Sequence, residues 1–170
     1  MNDAIDRQFV LAVYPSSHGF AFVLFERPDA PFDWGMKQIR KRNKNAQTLE
    51  WIKKLVDRYE PEVLVFEAPS AKSKRTDRIV RLYRMLTHFA IIEQLSVSRY
   101  TRAEVRSCFA TVGASTKYEI ARVIANQIPA FMHRLPPVRK IWMSEDPRQS
   151  LFDAAALGIA HYARKDQGLV

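Results

Sequence analysis

Cysteine is nearly absent from this 170-residue chain, and the single Cys108 excludes an internal disulfide or a cysteine-rich zinc site. No apolar run approaches the roughly 18–20 residues that span a bilayer. The opening MNDAIDRQ lacks the charged-then-apolar order of a signal peptide, so a soluble, cytoplasmic protein without a membrane partner is expected. Repeats, low-complexity tracts and composition breaks are missing too, which predicts one domain over residues 1–170. What is present is a core and a surplus of positive charge. The hydrophobic fraction of 47% excludes general disorder. Lys+Arg 27 against Asp+Glu 18 gives a net charge of +9. The isoelectric point of about 9.9 favours a polyanionic partner, nucleic acid before membrane, over charge carried only for solubility.

Hydrophobic patterning orders the chain. Phe9 to Tyr14 is a short apolar run closed by the turn signal Pro15-Ser16-Ser17, a buried strand. Gly19 to Phe25 and Phe32 to Ile39, joined through Pro28-Asp29-Ala30-Pro31, complete a three-strand meander. Leu49, Ile52, Leu55, Val56 and Tyr59 mark an amphipathic helix that ends before Pro61. Val63 to Phe66 reads as a strand buried on both faces. The spacing predicts a long helix from about Thr76 to Gln94, a strand over Val97 to Tyr100, and helices over Arg102–Phe109 and Lys117–Ile128. A last helix runs to about Arg164, with Asp146 as its cap, Pro147 first and Gln149 closing a capping box. Its small residues Ala154 to Gly158 would let it press close to a sheet. The order βββαβα, then a strand and helices, implies an α/β mixed sheet with helices on its faces.

Several motifs in that order carry a resemblance. Val10 to Tyr14 with Pro15 and the return Gly19-Phe20, the strand ending at Glu67, Arg102 to Arg106 followed by Gly113 and Lys117, and Asp153-Ala154-Ala155-Ala156-Leu157-Gly158 resemble successive segments of RuvC-type Holliday junction resolvases. The likeness runs from roughly Gln8 to Arg164. It implies a ribonuclease H-like fold and a Mg²⁺- or Mn²⁺-dependent endonuclease acting as a homodimer on branched DNA. By the same resemblance Glu67 and Asp153 are catalytic metal ligands and Lys117 contacts a backbone phosphate. The position of the first carboxylate of the resolvases is Tyr14 here, and only one acid, Asp153, lies in the closing helix where they usually carry two.

The residues allow more than one chemistry. Two-metal cleavage needs clustered carboxylates, because Mg²⁺ is hard and prefers anionic oxygen. Glu67, at the end of a buried strand, fits a metal ligand or a salt bridge to one of the many arginines. Asp153 fits a ligand or an ordinary aspartate favoured near a helix N-terminus. Glu145 and Asp146 are further candidate ligands, although a helix cap already accounts for Asp146. Tyr14, with an ordinary pKa near 10, is neutral and suits core packing or base stacking. His18 and His161 read as surface histidines, and Cys108 as core.

Basic residues cluster twice, over Lys37–Lys44 and over Lys72–Arg84. In a helix Lys74, Arg78 and Arg81 share a face, with Arg75 beside them and Lys72 just before. So placed after Glu67, they would hold phosphates. Three functions follow: a Mg²⁺-dependent junction endonuclease, a nucleic-acid-binding relative with a decayed site, or a nuclease acting on RNA.

Overall fold

The computed structural model of the protein describes residues 8–40, 42–71 and 75–168. Lys72 and Lys74 therefore lie outside the described residues. Strands β1 (Val10–Pro15), β2 (Gly19–Arg27), β3 (Ala30–Gln38), β4 (Val63–Glu67) and β5 (Ser96–Tyr100) form one sheet in the order β3-β2-β1-β4-β5. The meander pairs antiparallel, whereas β1, β4 and β5 run parallel. Helices α1 (Lys44–Tyr59) and α2 (Asp77–Ile92) supply the crossovers that parallel neighbours require. Helices α3 (Arg102–Ala110), α4 (Lys117–Gln127) and α5 (Gln149–Asp166) follow β5. This is the expected α/β mixed sheet with helices on both faces.

Strand alternation divides the core in two. Leu11, Val13, Phe22, Leu24, Leu64 and Phe66 meet the apolar faces of α1 and α2. Val10, Ala12, Val23, Phe25 and Val65 meet α4 and α5 on the other side. The small-residue stripe of α5 does what its size suggests. A Cβ on Gly158 would collide with the ring of Phe25, so the helix lies on the sheet only because that atom is missing. Gly19 has φ +153°, and a side chain there would strike the carbonyl of Lys37. That close approach seats the start of β2 against the end of β3.

The structure departs from the sequence reading at several places. Asp146 does not cap α5, which begins at Gln149 after Arg148. Its carboxylate instead accepts from the backbone N–H of Arg148 at 2.9 Å, an Asx-type turn that the Arg148 guanidinium completes. The Gln149 side chain points forward to Asp153 rather than back into a capping box. A 3₁₀ turn, Pro129–Arg134, stands where no element was expected. His161 is buried, not superficial: its Nδ1 lies 2.9 Å from the Tyr100 hydroxyl.

Candidate nucleic-acid interface at the strand ends

Parallel pairing sets the site. Val10 faces Val63 and Ala12 faces Val65, so the same register carries Tyr14 and Glu67 to adjoining strand ends. Thr76 caps α2 by accepting from the N–H of Ile79, and the helix therefore starts at Asp77. Arg75 precedes the cap, which turns it off the expected helical face with Arg78 and Arg81. Its Nε and Nη2 each lie 2.7 Å from Oε2 of Glu67. The Tyr83 hydroxyl donates to the same oxygen at 2.9 Å. The arginine reading of Glu67 is realised in this geometry.

Asp153 is partnered in the same way. Lys117 opens α4 behind the Thr116 capping box, and its Nζ reaches Oδ2 of Asp153 at 3.1 Å. Both carboxylate oxygens of Glu145 lie 3.1 Å from that ammonium. Gln149 donates to Oδ1 of Asp153 at 3.2 Å. Tyr14 stands between the two ion pairs, with Arg75 4.6 Å and Lys117 5.5 Å from its ring centroid. Both distances are within cation–π range.

The local electrostatics keep Tyr14 neutral and its neighbours cationic. Burial, reinforced by Asp153, raises the Tyr14 pKa against the pull of Lys117 and Arg75. Burial works against the charge of Lys117, yet Asp153, Tyr14 and Glu145 outweigh it and raise the ammonium pKa. Arg75 is raised likewise, burial being outweighed by Tyr83, Tyr14 and Glu67. Burial pushes the Asp153 carboxyl upward, opposed by Lys117.

A two-metal centre needs anionic oxygens turned towards shared cations. Here the Glu67 oxygen faces Arg75 and Tyr83, both Asp153 oxygens have protein donors, and the first strand contributes a neutral phenol. Among the described residues no group of three or more His, Cys, Asp or Glu could hold a metal ion. The donor set as arranged does not fit a divalent pair. Asp146 is spent on Arg148, whose hydrogen bonds hold its carboxyl below the usual range.

Cations flank this cluster on two sides. A narrow cleft with room for about 50 Å³ opens between the cluster and α3, where Arg102 and Arg106 are exposed. On the other side lies a groove of about 450 Å³ walled by Lys44, Arg75 and Arg78. These three side chains donate to successive carbonyls of the β1–β2 turn. Arg75 reaches Pro15 at 3.3 Å, Arg78 reaches Ser16 at 2.9 Å and Lys44 reaches Ser17 at 2.7 Å. Burial and then the nearby Arg75 lower the Arg78 pKa. Arg81 is exposed on α2 and joins neither wall. Sequence reasoning missed Tyr83, Gln149, Lys44 and the α3 arginines as neighbours of the site. The i, i+4 spacings of Arg102 to Arg106 and of Gln149 to Asp153 and the basic run ending at Lys44 offered signals, whereas the Tyr83 contact spans 16 residues and the Lys44 contact 27.

No protein-family profile and no curated protein matches the chain. Among solved structures, T. thermophilus RuvC in complex with a Holliday junction substrate matches with a TM-score of 0.67 at 13% identity, over 95% of this chain and 98% of that one. A second Thermus thermophilus RuvC structure matches with a TM-score of 0.67 at 14% identity and the same coverage. At such identity the likeness is one of architecture, and it agrees with the strand order and crossovers described above. The chain has a RuvC-like, ribonuclease H-like fold.

Proposed function

We propose that this protein binds branched DNA through phosphate contacts, with a strand-end site neutralised by its own cations in place of divalent metal. The observation that carries this reading is the pairing of Glu67 with Arg75 and of Asp153 with Lys117 around the neutral Tyr14. Surplus positive charge walls both flanks of that site, and the structural neighbour was captured on a Holliday junction substrate. Arg78, Lys44, Arg102 and Arg106 meet the phosphates, with Arg81 as an outer contact, and the sequence adds Lys72 and Lys74 as further basic residues for the same role. Arg75 and Lys117 hold the carboxylates and contribute field rather than direct contacts. A homodimer, which the RuvC resemblance implies, suits a four-way junction because two copies meet two symmetry-related arms.

The second reading is a Mg²⁺- or Mn²⁺-dependent nuclease acting on a DNA junction or on RNA. It is favoured by one feature: Glu67 and Asp153 do converge on opposite sides of Tyr14. Binding and cleavage measured together on four-way junction, linear duplex and RNA separate the readings. The expected result is junction binding that is indifferent to Mg²⁺ and strand integrity after prolonged incubation. Replacing Arg78 and Lys44 with alanine should lower the slope of log affinity against log salt by about 0.9 per lost duplex phosphate contact. Rapid metal-dependent cleavage that vanishes in Glu67→Gln would favour the nuclease, and absence of any nucleic-acid binding would overturn both.

A further inference from the structure

The segment between the 3₁₀ turn and α5 exposes more apolar surface than its setting explains. Ile141 is 97% exposed and Trp142 80%, and Val138 and Met143 are exposed beside them. These residues are held up by a defined turn. The N–H of Met143 donates to the carbonyl of Lys140 at 3.0 Å, which places Ile141 and Trp142 at the two central turn positions. Nε of Arg139 donates to the Met143 carbonyl at 2.6 Å and braces the same turn. Pro136 is buried and anchors the incoming strand of chain. Central turn positions normally go to Gly, Pro, Asn, Asp or Ser, which satisfy the backbone without exposing carbon. An isoleucine and a tryptophan there spend exposed apolar area that folding does not recover.

We propose that this turn is a stacking wedge for an unpaired or splayed nucleobase, with Trp142 as the platform and Ile141 beside it. The inference rests on the branched-DNA reading and adds the element that would engage the branch point. Charge complementarity selects the occupant. His133, Arg134, Arg139 and Lys140 are exposed along this stretch, and no acid occurs from Pro129 to Ser144. The Lys140 ammonium lies 5.4 Å from the Trp142 ring centroid, so a cation for the phosphate stands beside a face for the base. That combination is how sequence-tolerant single-strand sites are built.

Position supports the same occupant. Glu145 follows Trp142 by three residues, at most about 11 Å of extended chain. Its carboxylate is bound by Lys117, which also holds Asp153 at the centre of the strand-end site. The wedge is thus tied to the rim of the groove walled by Lys44, Arg75 and Arg78. A base flipped from a duplex arm lying along those cations would meet the indole.

The test uses the full chain, Trp142→Ala, Trp142→Phe and Ile141→Ser, with a four-way junction carrying 2-aminopurine at the branch point. The native protein and Trp142→Phe should change the 2-aminopurine emission on binding. Trp142→Ala should abolish that change and lose about ten-fold or more in junction affinity, the worth of one stacked base. Linear duplex affinity should stay the same in all variants, which also shows that the variant is folded. Equal junction affinity for native and Trp142→Ala overturns the wedge and leaves the branched-DNA reading standing. Loss of duplex and junction binding together overturns it as well. Tryptophan-dependent binding to anionic phospholipid vesicles without a junction effect would assign the turn to a membrane surface instead. A Trp142-dependent change in oligomeric state without a junction effect would assign it to a second copy of the chain. A native protein that binds neither junction nor duplex removes the underlying reading with it.

Discussion

The guanidinium of Arg75 grips a single oxygen of Glu67 through two nitrogens, each at 2.7 Å, and its face lies over the ring of Tyr14. The pair is mostly hidden from water, with side chains 18% and 13% exposed. An acid at the end of a buried strand is costly without a partner, and this one has an internal cation.

That relationship makes a coupled prediction about stability. Arg75→Gln leaves the Glu67 charge, among the described residues, with the Tyr83 hydroxyl and should cost about 2–4 kcal/mol, somewhat below the full cost of breaking a buried pair. Glu67→Gln should also destabilise, since it leaves the guanidinium desolvated. The double variant should recover most of the loss, because neither charge remains. Urea unfolding of the four proteins gives the coupling energy, and additive single losses would mean the two residues act independently.

Metal dependence follows from the same cluster. The native protein should show no change in melting temperature on addition of millimolar Mg²⁺ or Mn²⁺. A ligand stabilises only what it binds in the folded state. Tyr14→Asp combined with Lys117→Ala supplies a third carboxylate and removes the ammonium that holds Asp153 and Glu145. That variant should gain a Mn²⁺-dependent rise in melting temperature, readable also as Mn²⁺ uptake by calorimetry. A metal-induced shift in the native protein would show that Arg75 and Lys117 yield to the ion.

Much of this was legible in the sequence, for reasons that differ by residue. The apolar runs of β1 and β4 and the end position of Glu67 follow from two-residue alternation and its abrupt stop. The close approach of α5 follows from the small residues Ala154, Ala155, Ala156 and Gly158. Arg75 was misplaced because its direction depends on one boundary, the Thr76 cap, and a start two residues earlier would have put it on the helix face. The bonds from Lys117 to Glu145 and from Tyr100 to His161 cross 28 and 61 residues, beyond any local pattern. Asp146 was misassigned because an Asx turn and an N-cap draw on the same side-chain chemistry.

The buried histidine gives a pH dependence with a definite sign. Burial, with Lys165 adding to it, holds the His161 imidazole below its ordinary range. The unfolded chain takes up that proton near pH 6.5, and the folded protein does so only at lower pH. Between those points the unfolded state binds more protons, so stability rises with pH there and falls on acidification from about 6.5 down to the folded pKa. His161→Gln keeps an acceptor for the Tyr100 hydroxyl and removes the titration. Urea midpoints compared above and below that range should fall on acidification by less in the variant than in the native chain. An identical acid loss in both would place the effect on other groups.

The last prediction tests how closely α5 lies on the sheet, because that distance sets where Asp153 stands. Glycine inside an exposed helix costs about 1 kcal/mol relative to alanine, so Gly158→Ala on a free surface would stabilise the protein. Here the added methyl would meet Cε2 and Cδ2 of Phe25, a ring with no exposure and no room to swing. Overpacking of that kind costs about 1–3 kcal/mol, which cancels or exceeds the helical gain. The expected outcome is a net loss of stability, with Lys117 and Asp153 drawn apart as the helix lifts. Phe25→Leu in the Gly158→Ala background shortens the blocking side chain and should return part of the loss, although alone it should destabilise. Thermal unfolding of the three variants reads the sign directly. A Gly158→Ala protein more stable than the native one would mean that α5 stands off β2, and the pairing of Asp153 with Lys117 would then need another support.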